Sequence, residues 1–177
     1  MRSLRPEEPS SACMKPVVQE EGTGCGIASV ATLAGVSYRQ ARRAAGRLGI
    51  SAEDPRLWSE TGHVRRLLKQ YGLRAAAKET PFLSWETLPD LALLAVKWHR
   101  AGGRAFWHWV VFRRGPQGPV VLDPKLTLRT HVRTDFGRMK PKWFIAVMAP
   151  TRQRTGRTSV PIAPPADRSR LTFSTSR

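Results

Sequence analysis

Between Cys25 and Ala34 the apolar residues Ile27, Val30, Ala31 and Ala34 recur at spacings of three and four, the mark of a buried helical face. The turn Gly22-Thr23-Gly24 stands just ahead, so this helix opens at Cys25. Ser37 followed three residues on by Gln40 forms a capping box, which predicts a second helix over Tyr38–Leu48 ended by Gly49. Val64, Leu67, Leu68 and Tyr71 mark a third, closed by Gly72. After Pro89 the pattern changes. Leu91–Trp98 is a compact apolar run, separated by Gly102-Gly103 from the aromatic and β-branched stretch Phe106–Phe112. Gly115-Pro116-Gln117-Gly118 reads as a hairpin turn into Pro119–Leu122, and Trp143–Met148 is a last strand. Helices first and antiparallel strands second predict an α+β fold.

The ends are unlike the middle. Residues 1–13 are rich in Pro, Ser and Glu without periodicity, and residues 150–177 hold Pro, Ser, Thr and Arg with few large apolar side chains. Neither offers enough burial to offset the entropy of ordering it. The expected organisation is a disordered extension over 1–13, a folded unit over 14–149 and a disordered basic tail over 150–177. Met14 is a candidate alternative start, with the preceding residues an extension of the reading frame.

Composition narrows the class. A chain of 177 residues with 41% hydrophobic and 24% charged residues is ordinary globular material and is large enough to fold without staples. Two cysteines, Cys13 and Cys25, do not make a disulfide framework. The apolar runs are too short for a membrane span, and the first 20 residues hold no secretory apolar region, so a cytoplasmic protein is expected. The net charge of +17 is scattered: the tail carries +5, residues 14–149 carry +12, and no long basic run or nucleic-acid motif occurs. Charge of this kind sets solubility and non-specific binding. Nucleic acid is therefore expected to bind non-specifically at most.

Four polar residues stand where a purely structural chain has no need of them. Cys25 lies in the first turn of the first helix, where unpaired backbone N–H groups and the dipole favour an anion. A thiolate there is a nucleophile, the N–H of Cys25 is placed to help bind an oxyanion, and Gly24 and Gly26 leave the backbone open to a substrate. His108 sits mid-strand, on one face with Val110 and Phe112 and opposite Trp107, Trp109 and Val111, as a candidate general base. Asp123 ends the following strand, which the hairpin makes a neighbour, and is placed to orient the imidazole. Gln19, six residues before Cys25, is a candidate second oxyanion donor. Each has a plain alternative: a small buried cysteine, a satisfied core histidine, a turn aspartate and a solvated glutamine.

The combination resembles the double-glycine leader peptidases, bacteriocin-processing cysteine peptidases of the papain-like superfamily that are often fused to peptide exporters. The residues that carry the resemblance are Gln19 and, six positions on, Cys25-Gly26 opening a helix, then His108-Trp109-Val110-Val111, then Val121-Leu122-Asp123-Pro124. It spans residues 14–149. It implies a papain-like α+β fold, with Cys25 as nucleophile, His108 as base, Asp123 as orienter and Gln19 as oxyanion donor. It also implies a peptide or protein substrate and a membrane exporter partner not encoded in this chain. The chain departs from the family pattern at Gly24, where an acidic residue usually stands, and it has no nucleotide-binding phosphate loop.

Two other classes compete: a peptide-binding module of the same fold without turnover, and a basic nucleic-acid-binding protein whose cysteine is structural. No cofactor is expected. No metal is expected either, because His63, His99 and His131 have no Cys, Asp or Glu at ligand spacing. The six tryptophans are expected mainly in the core, with Trp107 and Trp109 packed against the helices, and Cys13 is expected to be incidental.

Overall fold

The structure, a computed structural model, describes residues 14–148. The expectations for residues 1–13, Cys13 among them, and for the tail 150–177 lie outside the described residues. Three helices precede the main strands: α1 (Cys25–Ala34), α2 (Tyr38–Arg47) and α3 (Gly62–Gln70). The seven strands are β1 (Arg74–Ala75), β2 (Thr80–Pro81), β3 (Leu91–Ala101), β4 (Arg104–Gly115), β5 (Gly118–Leu122), β6 (Val132–Arg133) and β7 (Trp143–Met148). All pairings are antiparallel, in the order β1-β7-β3-β4-β5-β6, with β2 also on β7. The fold is α+β.

Helix α1 is more deeply placed than its one-face pattern suggests. Residues Cys25–Leu33 are all buried, because α2, α3, β4 and a 3-10 turn at Pro55–Trp58 enclose the helix. The capping box of α2 is formed: the Ser37 hydroxyl accepts from the Gln40 amide, and the Gln40 side chain accepts from the Ser37 N–H. The helix stops at Arg47, with Leu48 as its cap.

The two faces of the sheet carry separate apolar clusters. Leu93, Ala95, Trp107, Trp109, Val111, Leu122 and Ile145 pack with the helices. Ala92, Leu94, Val96, Val110, Phe112, Val121 and Phe144 form the other face, covered by Leu88, Met139, Phe82, Trp85 and Phe136 rather than by a helix.

The β3–β4 hairpin is longer than the hydrophobic pattern indicates, since pairing continues to Ala101–Arg104. Residues Lys97–Ala101 are exposed, so hydrogen bonding rather than burial sustains this arm. Its register shifts between Val96 and His99, and there Lys97 adopts φ 54°, the left-handed region, at a cost of about 1–2 kcal/mol for a residue with a side chain. Strand β5 pairs only with residues 111–115 of β4, leaving the stretch of β4 that holds His108 without an outer neighbour.

Candidate active site

The peptide leading into Cys25 is held by its own backbone and by α2. Gly24 N–H donates to the Glu21 carbonyl at 3.0 Å, and the first helical bond runs from Ala28 N–H to the Gly24 carbonyl at 3.0 Å. The N–H of Cys25 thus precedes the intrahelical ladder and is an available donor. The Glu21 carboxylate accepts from the Tyr38 hydroxyl and pairs with Arg42 Nε at 2.9 Å.

The glycines beside Cys25 serve packing. A Cβ on Gly24 would collide with the Tyr38 hydroxyl, and one on Gly26 would lie 2.9 Å from Val64 Cγ2 and 3.2 Å from the Leu57 carbonyl. The space read from sequence as room for a substrate is filled by protein, because α1 is an enclosed helix.

His108 is engaged by two side chains. Its Nε2 lies 2.7 Å from Asp123 Oδ1, and the Cys25 thiol is near enough to the same imidazole to raise its pKa. With Nε2 taken by the carboxylate, Nδ1 is the nitrogen left for sulfur. Burial alone would lower the imidazole, but the bond to Asp123 and the nearby Cys25 thiol outweigh it and lift His108 from 6.5 to about 9.

Asp123 has no exposed surface. Its Oδ1 also accepts from the Lys125 amide at 3.1 Å, and its Oδ2 accepts from Arg133 Nη1 at 2.9 Å. Burial would raise this carboxyl, but the bond to His108, the imidazolium charge, the Lys125 amide and Arg133 hold it at about 2. Near neutral pH the pair is therefore imidazolium and carboxylate.

The structure brings Cys25, His108 and Asp123 together, and Gln19 lies beside them in another posture. The Gln19 backbone N–H donates to the Pro124 carbonyl at 3.0 Å, which ties the segment before Cys25 to the turn after Asp123. Its Nε2 donates to the carbonyls of Glu21 at 2.8 Å and Gly22 at 3.0 Å, and its buried Oε1 has no partner. In this arrangement Gln19 braces the cysteine loop, and both amide hydrogens are engaged. Cys25 has no exposed surface, while the His108 side chain keeps 14% of its own.

Sequence reading missed Arg133, which also clamps Asp135 through two bonds. It missed the Tyr38–Glu21–Arg42 group as well. Arg133 stands on a two-residue strand with no periodicity to signal it. Tyr38 reads from sequence only as an aromatic residue at a helix start.

The remaining histidines are locally occupied: His63 Nε2 on Asp54 Oδ2 at 3.1 Å, His131 Nδ1 on the Asp123 carbonyl at 2.9 Å, and His99 Nδ1 on the Lys97 carbonyl at 3.0 Å. Trp107, Trp109 and Trp143 form a mutually edge-on group, and Trp109 Nε1 donates to the Leu57 carbonyl at 2.8 Å. Both Trp107 and Trp109 are buried, packed in the cluster that faces the helices. No helix among the described residues is long and apolar enough to cross a membrane.

An α+β protein with a thiol, an imidazole and a carboxylate in series is the class that fold and site define. No protein-family model and no curated protein matches the sequence. Among solved structures, the chain is similar to a double glycine motif protease from an AMS/PCAT transporter, crystallised in complex with the leader peptide. The two share 21% identity over 74% of this chain and 88% of that one, with a TM-score of 0.45.

Proposed function

We propose that the protein is a papain-like cysteine peptidase in which Cys25 is the nucleophile, His108 the base and acid, and Asp123 the group that orients and charges the imidazole. The observation that carries this reading is the 2.7 Å bond of His108 to the buried Asp123 carboxylate, with the helix-start thiol of Cys25 close to the same ring. An imidazolium beside a thiol at a helix N-terminus is the setting that stabilises a thiolate.

In the reaction, the thiolate adds to the carbonyl carbon of a peptide bond, and the Cys25 N–H donates to the resulting oxyanion. The His108 imidazolium gives its proton to the departing amine, leaving a thioester. The neutral imidazole then takes a proton from water, which attacks the thioester and releases the acid and the thiol. Because Cys25 is covered, turnover requires the site to open around it.

The resemblance of the Cys25, His108 and Asp123 motifs to double-glycine leader peptidases makes a peptide leader the first substrate class to try, with a membrane exporter not encoded in this chain as the partner. A reducing compartment such as the cytoplasm suits a free catalytic thiol. The test is to incubate the full chain with a synthetic peptide pool that includes double-glycine leaders and to detect new termini by mass spectrometry. Wild type is expected to cleave and Cys25→Ala to lose cleavage with an unchanged circular dichroism spectrum. Cleavage retained in Cys25→Ala overturns the proposal.

A second reading, a peptide-binding module without turnover, draws support from the covered thiol and the engaged Gln19 amide. It expects equal peptide retention by wild type and Cys25→Ala, with no new termini from either.

A further inference from the structure

The Glu21 side chain joins two parts of the molecule that the chemistry set out above leaves unconnected. Its carboxylate, 16% exposed, accepts from the Tyr38 hydroxyl and pairs with Arg42 Nε at 2.9 Å, and both partners stand on α2. Its own carbonyl accepts from the Gly24 N–H at 3.0 Å and from Gln19 Nε2 at 2.8 Å. One residue thus ties α2 to the turn that delivers the Cys25 N–H.

The tie is made within the protein rather than on its surface. Tyr38 is 5% exposed, and its hydroxyl lies so close to Gly24 that a Cβ there would collide with it. Burial, then the bond to Glu21 and its charge, hold the phenol above its usual range, so it stays a donor. Bonds to an ionised carboxylate are among the stronger kinds. Helix α2 has no need of this one. Ser37 and Gln40 cap its start, and Tyr38, Ala41, Ala44 and Ala45 bury its inner face. The flanks of the turn have their own anchors, the Thr23 hydroxyl on the Ala52 carbonyl and the Gln19 N–H on that of Pro124. Glu21 fixes the residue between them.

We infer that Glu21, gripped by Tyr38 and Arg42, is a positioning residue that sets where the Cys25 N–H points when an oxyanion forms on the substrate carbonyl. This rests on the peptidase reading and adds to it a part played by α2. None of the bonds of this group goes to the Cys25 sulfur or the His108 ring, so it acts on the addition step and leaves the thiol's own reactivity alone. Removing an oxyanion donor costs roughly a hundred- to a thousandfold, and a shift of about an ångström is enough to lose much of its benefit.

The test compares two probes by their protection of Cys25 against iodoacetamide, with Cys13 replaced. Acetyl-Leu-Gly-glycinal, an aldehyde, takes the sulfur at its carbonyl carbon: the S–C bond forms, the C=O π bond breaks, and the oxygen, in the place of the oxyanion, takes the thiol proton. The matching alcohol binds without adding. Alkylation without peptide forms no oxyanion and reports the thiol alone. In Glu21→Ala the half-protecting concentration of the aldehyde is expected to rise roughly tenfold, while that of the alcohol and the alkylation rate without peptide stay within about twofold. Tyr38→Phe, which deletes only the hydroxyl, is expected to show the same selective change to a smaller extent. Glu21→Gln, which still accepts from Tyr38, is expected to lie nearer wild type. Aldehyde protection that is unchanged in both Glu21→Ala and Tyr38→Phe, or that weakens only in step with the alcohol or the alkylation rate, overturns the inference. A wild type that the aldehyde protects no better than the alcohol does overturns the peptidase reading itself, and the positioning role with it.

Discussion

Asp123 is the most tightly specified side chain of the site, and its partners set what its removal does. Its carboxylate lifts His108, so Asp123→Asn lowers the imidazole and moves the alkaline limb of kcat/KM, expected near pH 9 in wild type, to lower pH. An alkaline limb that stays in place in Asp123→Asn contradicts the assignment. The same shifts govern stability. The raised His108 contributes fully below about 6.5, and that contribution is lost as pH rises through about 9. The lowered Asp123 contributes fully above about 3.8, and its share is lost as pH falls towards about 2. The melting-temperature gap between wild type and His108→Gln is therefore widest between about pH 3.8 and 6.5 and narrows as pH rises from there through about 9. Arg133 satisfies the far oxygen of the buried carboxylate, so Arg133→Leu is expected to cost about 2 kcal/mol in urea unfolding. A loss below about 0.5 kcal/mol would mean that water replaces the guanidinium without penalty.

At the scale of elements, Gly26 tests how α1 is seated. Alanine there gains up to about 1 kcal/mol of helix propensity. Against this, its Cβ overpacks a stiff valine and a backbone carbonyl, at about 1–3 kcal/mol. Crowding prevails, and Gly26→Ala is expected to lower stability by about 1 kcal/mol in urea melts; a stabilised variant contradicts the packing described.

The same contrast shows what the chain discloses in one dimension. Helix α1, the capping box of α2 and the strands Phe106–Phe112 and Trp143–Met148 follow from local spacing, and so do the positions of Cys25, His108 and Asp123. The two-residue strands β1, β2 and β6 do not, because two residues carry no period. Nor does the outer arm of β3, whose exposed Lys97–Ala101 look like loop until a partner strand is present. The site reads the same way. Its candidate reactive groups are legible, whereas Arg133 and Tyr38 are brought in by tertiary contacts with no local pattern.

For the whole molecule, the net charge of +17 divides into structural and free parts. Arg42, Arg56, Arg65, Arg114 and Arg133 meet carboxylates. The exposed face of α2, with Arg39, Arg43 and Arg47, is largely solvated. Binding to duplex DNA is accordingly expected to be sequence-independent, to weaken steeply between 50 and 200 mM salt, as phosphate contacts of this kind do, and to be equal in Cys25→Ala. Sequence-selective binding that persists at physiological salt would instead favour the nucleic-acid-binding class.

The chemistry proposed for Cys25 turns on His108, and the most direct measurement is the rate of Cys25 alkylation by iodoacetamide from pH 4 to 10, with Cys13 replaced. Wild type is expected to hold its rate well into the acidic range, and His108→Ala to lose that acidic reactivity. A rate that rises only near pH 8–9, the range of an ordinary thiol, and does so alike in both proteins, contradicts a working thiol–imidazole pair.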